Sequence, residues 1–176
     1  MANSYMVAES TNLTGARIFS LQANKDIQNG AIVGKGDLVT GETQIYNALD
    51  DYTNGMYVVI NPAWSYKSET IEQNEENYVN EAGVPFRAYR LEKDMKYKIY
   101  NVDETFSVGD YVKYNATAGK YEKDSSNASG LKVVAVEEVG FPYCIGSIGA
   151  KVVGDSGNEY GYATGAKTTK YTIEVE

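Results

Sequence analysis

Short runs of β-branched and aromatic residues recur along the chain at intervals of about 8–12 residues, separated by glycine or by clusters of Asn, Asp and Ser. Valine and isoleucine together number 27 against six leucines, and 16 tyrosines are added to them. These residue types fit the pleated surface of a strand better than a helix. The sequence therefore predicts a mainly β fold, a small β-barrel or sandwich of many short antiparallel strands. Such runs include residues 16–21, 31–33, 37–39, 43–47, 56–61, 86–91, 97–102, 111–114, 119–123, 131–139, 143–148 and 171–175.

One segment departs from this pattern. Residues 67–81 (KSETIEQNEENYVNE) contain five glutamates and few β-branched residues. Ser68 is typical of a helix N-cap, and Ile71 and Tyr78 are spaced to share one face of a helix. The segment predicts one short surface helix at about residues 68–80, with a long excursion from the sheet as the alternative.

The length of 176 residues fits one domain or two small subdomains. We expect residues 1–66 to form an N-terminal arm with a small β subdomain, and residues 67–176 to form a β-barrel or sandwich subdomain. A single merged domain is the alternative. Residues 1–14 carry little apolar surface, so we expect an extended arm that is disordered until it docks.

Composition argues against several classes of function. The chain has no histidine, which removes Ser-His-Asp and Cys-His nucleophile systems and His-ligated metal sites. The net charge of −8, with lysines scattered singly, argues against a nucleic-acid partner. No window has the roughly 18–20 apolar residues of a membrane span, and the N-terminus lacks the pattern of a secretory signal. Cys144 is the single cysteine, which predicts a small buried hydrophobe in a protein made in a reducing cytoplasm.

Carboxylate pairs are the acid–base groups that remain. Adjacent residues of a strand point to opposite faces, and pairs in turns face solvent, so we expect no catalysis from them. The i, i+3 spacing among the glutamates of residues 67–81 suits a cation, but a solvated acidic face is the preferred interpretation. Residues 34–37 (GKGD) lack the spacing of a phosphate loop and predict a hairpin turn. The sequence thus predicts no catalytic, cofactor or metal residue. The pairs are Asp50–Asp51, Glu75–Glu76, Asp103–Glu104 and Glu137–Glu138.

Tyrosines are the other feature that suggests binding. Exposed aromatic rings can stack on sugars, whereas buried rings fill a sheet-rich core. Tyr111 and Tyr114 are three residues apart, so their rings lie on opposite faces of a strand, which favours a structural role. The cluster consists of Tyr97, Tyr100, Tyr111, Tyr114 and Tyr121.

Residues 106–114 (FSVGDYVKY), 131–138 (LKVVAVEE) and 171–175 (YTIEV) resemble segments of small β-rich head decoration proteins, the auxiliary capsid proteins of tailed bacteriophages. Residues 1–19 and 29–39 are similar to phage virion proteins that begin with an extended arm. The resemblance implies a non-enzymatic protein without a cofactor, located on the capsid exterior. Its partners would be the major capsid protein and neighbouring copies of itself, on a shell that it reinforces against packaged DNA.

Within the arm, four residues offer apolar side chains to bury: Tyr5, Met6, Val7 and Leu13. We expect this segment, with neighbouring residues of the capsid-proximal first half, to bind the capsid lattice or an adjacent subunit, while the second half projects outward. The alternatives are a carbohydrate-binding β-module, with a glycan as partner, and another structural part of a phage tail or baseplate.

Overall fold

The computed structural model describes residues 5–62, 78–139, 142–145, 152–153, 159–164 and 168–176. Within these residues every regular element is a strand and none is a helix, which confirms the predicted mainly β class. The fourteen strands are β1 (Val7–Asn12), β2 (Ile18–Gln22), β3 (Ile32–Leu38), β4 (Ile45–Leu49), β5 (Tyr57–Val59), β6 (Phe86–Arg90), β7 (Lys96–Tyr100), β8 (Val112–Asn115), β9 (Lys120–Lys123), β10 (Leu131–Val139), β11 (Pro142–Ile145), β12 (Val152–Val153), β13 (Glu159–Thr164) and β14 (Thr168–Val175).

Five strands close into a barrel in the order β2-β4-β3-β5-β6. All of its pairings are antiparallel except the parallel pair β2–β4. Leu21 lies opposite Phe86 in the register, and Ala88 lies opposite Phe19, so these side chains share the inner face. Leu21 and Ala88 are fully buried, as is Val59 on the next strand. The barrel interior is therefore filled by side chains, as in other small barrels.

Four strands form an antiparallel sheet in the order β1-β7-β14-β10, in which β14 is central and β1 and β10 are the edges. Tyr97, Ile99, Leu131 and Ile173 of this sheet are fully buried. Two smaller units complete the described structure, the hairpin β8–β9 and the sheet β11-β13-β12.

Barrel and sheet share one hydrophobic cluster. Gly30 shows how closely they meet: its φ is +88°, and a Cβ there would lie 3.1 Å from Met6 Cε and 3.3 Å from Ile99 Cγ2. A side chain at position 30 would have to displace the side chains of Met6 and Ile99, and it would require a backbone conformation that residues other than glycine rarely adopt.

Strands on either side of residue 66, the predicted boundary between subdomains, pair with one another. β1, from the first half of the chain, pairs with β7, and β6, from the second half, closes the barrel between β5 and β2.

The structure corrects one local prediction and leaves a second largely outside the described residues. Residues 34–37 are not a hairpin turn but part of β3, and Gly34 is required there because a Cβ would lie 2.0 Å from the carbonyl oxygen of Asp51. The predicted helix at residues 68–80 lies largely outside the described residues. At its end, Asn80 is extended and forms an antiparallel bridge with Ile27.

Candidate docking cleft at the edge of the sheet

The N-terminal segment is an ordered edge strand from Val7 onward. Met6 and Val7 are 3% and 2% exposed, so both side chains lie in the core of this chain. The Met6 N–H donates to Gln28 Oε1 at 2.8 Å. The expectation of an arm without structure before docking is therefore wrong for residues 6–12, because pairing with β7 and burial against the barrel already order them.

Tyr5 and Leu13 are half-buried at either end of this strand. The carbonyl of Tyr5 accepts a hydrogen bond from Asn101 Nδ2 at 2.6 Å, and Leu13 packs against the core. The structure thus spreads the four predicted partner-binding residues along β1 and does not gather their side chains on one surface. Their binding to a partner stays a prediction.

A cleft of about 310 Å³ follows β1 on the side away from β7. Four consecutive residues, 7–10, line one wall. Because alternate side chains of a strand point to opposite faces, a cleft touched by four consecutive residues runs along the strand edge. The barrel supplies the opposite wall. The lining residues are Val7, Ala8, Glu9, Ser10, Asn29, Ile60, Asn61, Pro62, Arg87 and Tyr89.

Buried asparagines fix one end of the cleft. Asn29 Nδ2 donates to the carbonyl of Asn61 at 2.8 Å, and the Asn61 N–H donates back to Asn29 Oδ1 at 3.0 Å. Asn80 Nδ2 donates to the carbonyl of Ile27 at 2.9 Å and to Asn29 Oδ1 at 3.2 Å. Asn61 Nδ2 also donates to the hydroxyl of Tyr78 at 2.8 Å. These bonds satisfy side chains that are 4% (Asn29) and 3% (Asn80) exposed, so this end of the cleft is preorganised.

Arg87 gives the cleft its unpaired charge. Phe86 and Ala88 on either side of it point into the barrel, so the guanidinium of Arg87 lies outside, where it is exposed. Within the described residues no carboxylate forms an ion pair with Arg87. Glu9, on the opposite wall, is bound by Lys170 at 2.6 Å. The cleft therefore presents a free cation beside a neutralised anion.

The sheet differs from the cleft in this respect, since each lysine of its strands is matched with a carboxylate. In the hairpin Lys123 is matched in the same way, whereas Lys113 and Lys120 form no ion pair among the described residues. The distances between Nζ and the carboxylate oxygen run from 2.6 to 3.1 Å. The pairs are Lys96–Glu174, Lys98–Glu137, Lys123–Asp110 and Lys132–Glu176.

Three of the carboxylates considered for acid–base chemistry are engaged in other contacts. Asp50 pairs with Lys25 at 2.8 Å, and Glu137 pairs with Lys98 at 2.9 Å. The Thr53 N–H lowers the pKa of the Asp51 carboxyl below its usual value. A lowered pKa keeps a carboxylate ionised, which is the opposite of what a general acid needs.

Some of the groups considered in the sequence analysis lie outside the described residues. They are Glu75–Glu76, the rest of the acidic cluster and the side chain of Cys144. Among the residues that the structure describes, no three of Cys, Asp and Glu lie close enough together to hold a metal ion.

A second cleft, of about 330 Å³, lies at the hairpin end and is lined mainly by polar and charged residue types. Its charged groups satisfy one another: Lys123 binds Asp110 at 2.8 Å, and Asp124 accepts hydrogen bonds from Ser126 and Ser129. Two other polar side chains that line it, Ser125 and Asn127, are exposed and uncharged, so the cleft beside β1 is the stronger candidate.

The clustered tyrosines are mainly core residues. Tyr97 and Tyr121 are 0% and 1% exposed, and their hydroxyls lie 2.9 Å apart. The Tyr121 hydroxyl donates to the carbonyl of Gly30 at 2.8 Å. Burial raises the pKa of the Tyr114 hydroxyl to about 12. These three rings offer no open platform for a sugar.

Comparison of the chain with protein-family models, with curated proteins and with solved structures finds no match. In the part of the chain that the structure describes, no helix has the length and apolar character needed to cross a membrane.

Sequence reasoning missed the residues that shape the cleft opposite β1, namely Asn29, Asn61, Arg87 and Tyr89. One signal was present in the sequence, because Arg87 and Arg90 are two of only three arginines in an acidic chain. The third, Arg17, accepts the Arg90 N–H through its carbonyl at 2.9 Å, so all three lie on the β2–β6 side of the barrel. That proximity depends on long-range pairing, which the sequence pattern does not reveal.

Proposed function

We propose that the chain is a non-enzymatic structural protein of a phage virion that binds the outer surface of an assembled capsid and stabilises it. The observation that carries the proposal is the cleft beside β1, on the edge that pairs with no other described strand, which is a surface suited to a protein partner and not to a reaction. An exposed strand edge has backbone donors and acceptors ready for another chain. The resemblance of residues 106–114 and 131–138 to decoration proteins supplies the class of partner.

The charge distribution supports the same role. Ion pairs neutralise much of the sheet surface, whereas Arg87 stays available beside the cleft. On a shell, many subunits bind side by side, so modest contacts with the major capsid protein and with neighbouring copies add up to firm attachment.

The test is addition of the purified chain to capsids assembled from the major capsid protein of the same phage. We expect saturable co-sedimentation, regularly spaced added density on the capsid exterior in electron micrographs, and capsids that resist a higher temperature. Binding to tails or baseplates, or retention on immobilised glycans without capsid binding, would contradict the proposal and favour one of the alternatives.

A further inference from the structure

We propose that the cleft beside β1 binds an extended, acidic polypeptide strand of a partner, which joins the sheet next to β1. The inference rests on the proposed function in one respect: if the protein binds a capsid, the acidic strand belongs to the protein that it binds there.

The backbone of β1 is the first reason. In an antiparallel pair, alternate residues turn their N–H and C=O groups away from the neighbouring strand. β1 pairs with β7 alone among the described strands. Val7 and Ala8 are only 2% and 7% exposed, so the half-buried Glu9 and the exposed Ser10 are the residues whose backbone groups are accessible from the cleft. An added strand satisfies them with main-chain hydrogen bonds, whereas a globular surface cannot reach along the edge.

The wall opposite β1 is the second reason. Ile60, Pro62 and Tyr89 form an apolar surface facing the strand edge. Tyr89 lies opposite Ile18 in the register, and Ile18 is 56% exposed, so the apolar surface continues past the cleft on the outside of the barrel. Alternate side chains of a bound strand would pack on this surface.

Charge selects the acidic strand. Arg87 is the free cation of the cleft, and Lys170 already holds Glu9 on the opposite wall. A guanidinium binds a carboxylate through paired N–H donors, which adds direction as well as attraction. A basic strand would meet Arg87 with like charge and find no free carboxylate among the described residues lining the cleft.

The experiment uses the full chain, immobilised, and a displayed library of short random peptides. We expect the selected peptides to be rich in Asp and Glu and in β-branched residues. The best peptide is then synthesised, and its affinity is measured for the wild-type chain, for Arg87→Glu and for Lys113→Glu. Lys113 is exposed on β8, so Lys113→Glu makes the same change of charge at a position away from the cleft.

We expect Arg87→Glu to weaken peptide binding by about tenfold or more, with Lys113→Glu close to wild type. Circular dichroism checks that both variants keep the fold, since both side chains are exposed. N-methylation of alternate peptide residues should abolish binding in one register and spare it in the other, because only one set of N–H groups faces β1. Failure to select any peptide, selected peptides without excess acid, equal binding by Arg87→Glu, or indifference to N-methylation in both registers would each overturn the inference.

Capsid addition with the same variants separates the two proposals. A chain that binds acidic peptides through Arg87 but not capsids contradicts the decoration role and leaves the strand site standing. Full capsid occupancy by Arg87→Glu contradicts the strand site and leaves the decoration role standing.

Discussion

At the scale of single residues, the core of this protein depends on polar groups that are buried and satisfied. Tyr121 is the clearest case, since its hydroxyl bonds both the Tyr97 hydroxyl and the Gly30 carbonyl. The Gly30 carbonyl belongs to the loop where the barrel meets β1. The two hydrogen bonds therefore link the hairpin, the sheet and the barrel.

Replacing Tyr121 with Phe should lower the free energy of unfolding by about 1–3 kcal/mol, because a buried carbonyl and a buried hydroxyl lose their partner. The measurement is urea denaturation followed by circular dichroism. Tyr46→Phe is the matched control, since the half-buried Tyr46 ring contacts Phe19 and Lys35 but its hydroxyl forms no hydrogen bond with any described residue. Equal midpoints for the two variants would show that the hydroxyl of Tyr121 contributes nothing.

Asp124 makes stability depend on pH on the acid side. The Ser126 hydroxyl, then the Ser129 and Ser126 N–H groups, lower the pKa of its carboxyl well below the ordinary value. A group whose pKa is lower in the folded state stabilises the fold above its unfolded pKa of about 3.9, and this stabilisation is lost as the pH falls through the folded value.

We expect the urea midpoint of the wild-type chain to fall between about pH 5 and pH 2, and to fall less in Asp124→Asn, which has no proton to gain. Asp37→Asn is the control, because the side chain of Asp37 is exposed and has no hydrogen bond within the described residues. An acid-side slope that is the same in Asp124→Asn and in the wild type would refute this origin.

At the scale of elements, β1 is the segment whose role differs most from expectation. Met6 is buried beside Gly30 and Ile99, so the strand contributes to the core as well as offering an edge. Deleting residues 2–14 would remove this packing, and loss of capsid binding after that deletion could not be assigned to a lost anchor.

Met6→Ala should lower the free energy of unfolding by about 2–5 kcal/mol, the usual cost of a large-to-small change in a packed core. Leu13→Ala is the matched control, and its smaller loss follows from its half-buried position. Thermal unfolding of both variants gives the comparison. A near-wild-type midpoint for Met6→Ala would mean that β1 is only loosely attached.

The sequence predicted individual strands well where runs of β-branched and aromatic residues were clear. Residues 56–61, 86–91 and 131–139 contain β5, β6 and β10. Their partners were not predictable, because β2 pairs with β6 across more than sixty residues and no short turn fixes that register. The cleft was missed for the same reason, since Val7 and Arg87 become neighbours only after both pairings exist.

At the scale of the whole molecule, each half of the chain contributes a strand to the sheet or barrel formed mainly by the other half. The barrel needs β6 from the second half, and the sheet needs β1 from the first. The hydrophobic cluster also includes residues from both halves.

Expressed separately, residues 1–66 and 67–176 should each lack a cooperative urea transition, because one lacks the strand that closes the barrel and the other lacks an edge of the sheet. Mixing them should restore β-type circular dichroism and a cooperative transition. A cooperative transition in residues 67–176 alone would instead show an independent subdomain.

The central position of β14 also sets an order of events in the cell. Of the four strands in its sheet, β14 is the latest in the sequence, yet it lies between β7 and β10. While the ribosome is still making residues 168–175, β7 and β10 lack the strand that pairs with both of them, and their apolar faces remain exposed. Pairings between distant segments form slowly, and unfinished sheets are prone to aggregate. The sheet is therefore complete only after translation has passed residue 175, although β1, its partner β7 and the residues that line the cleft are all made before residue 101.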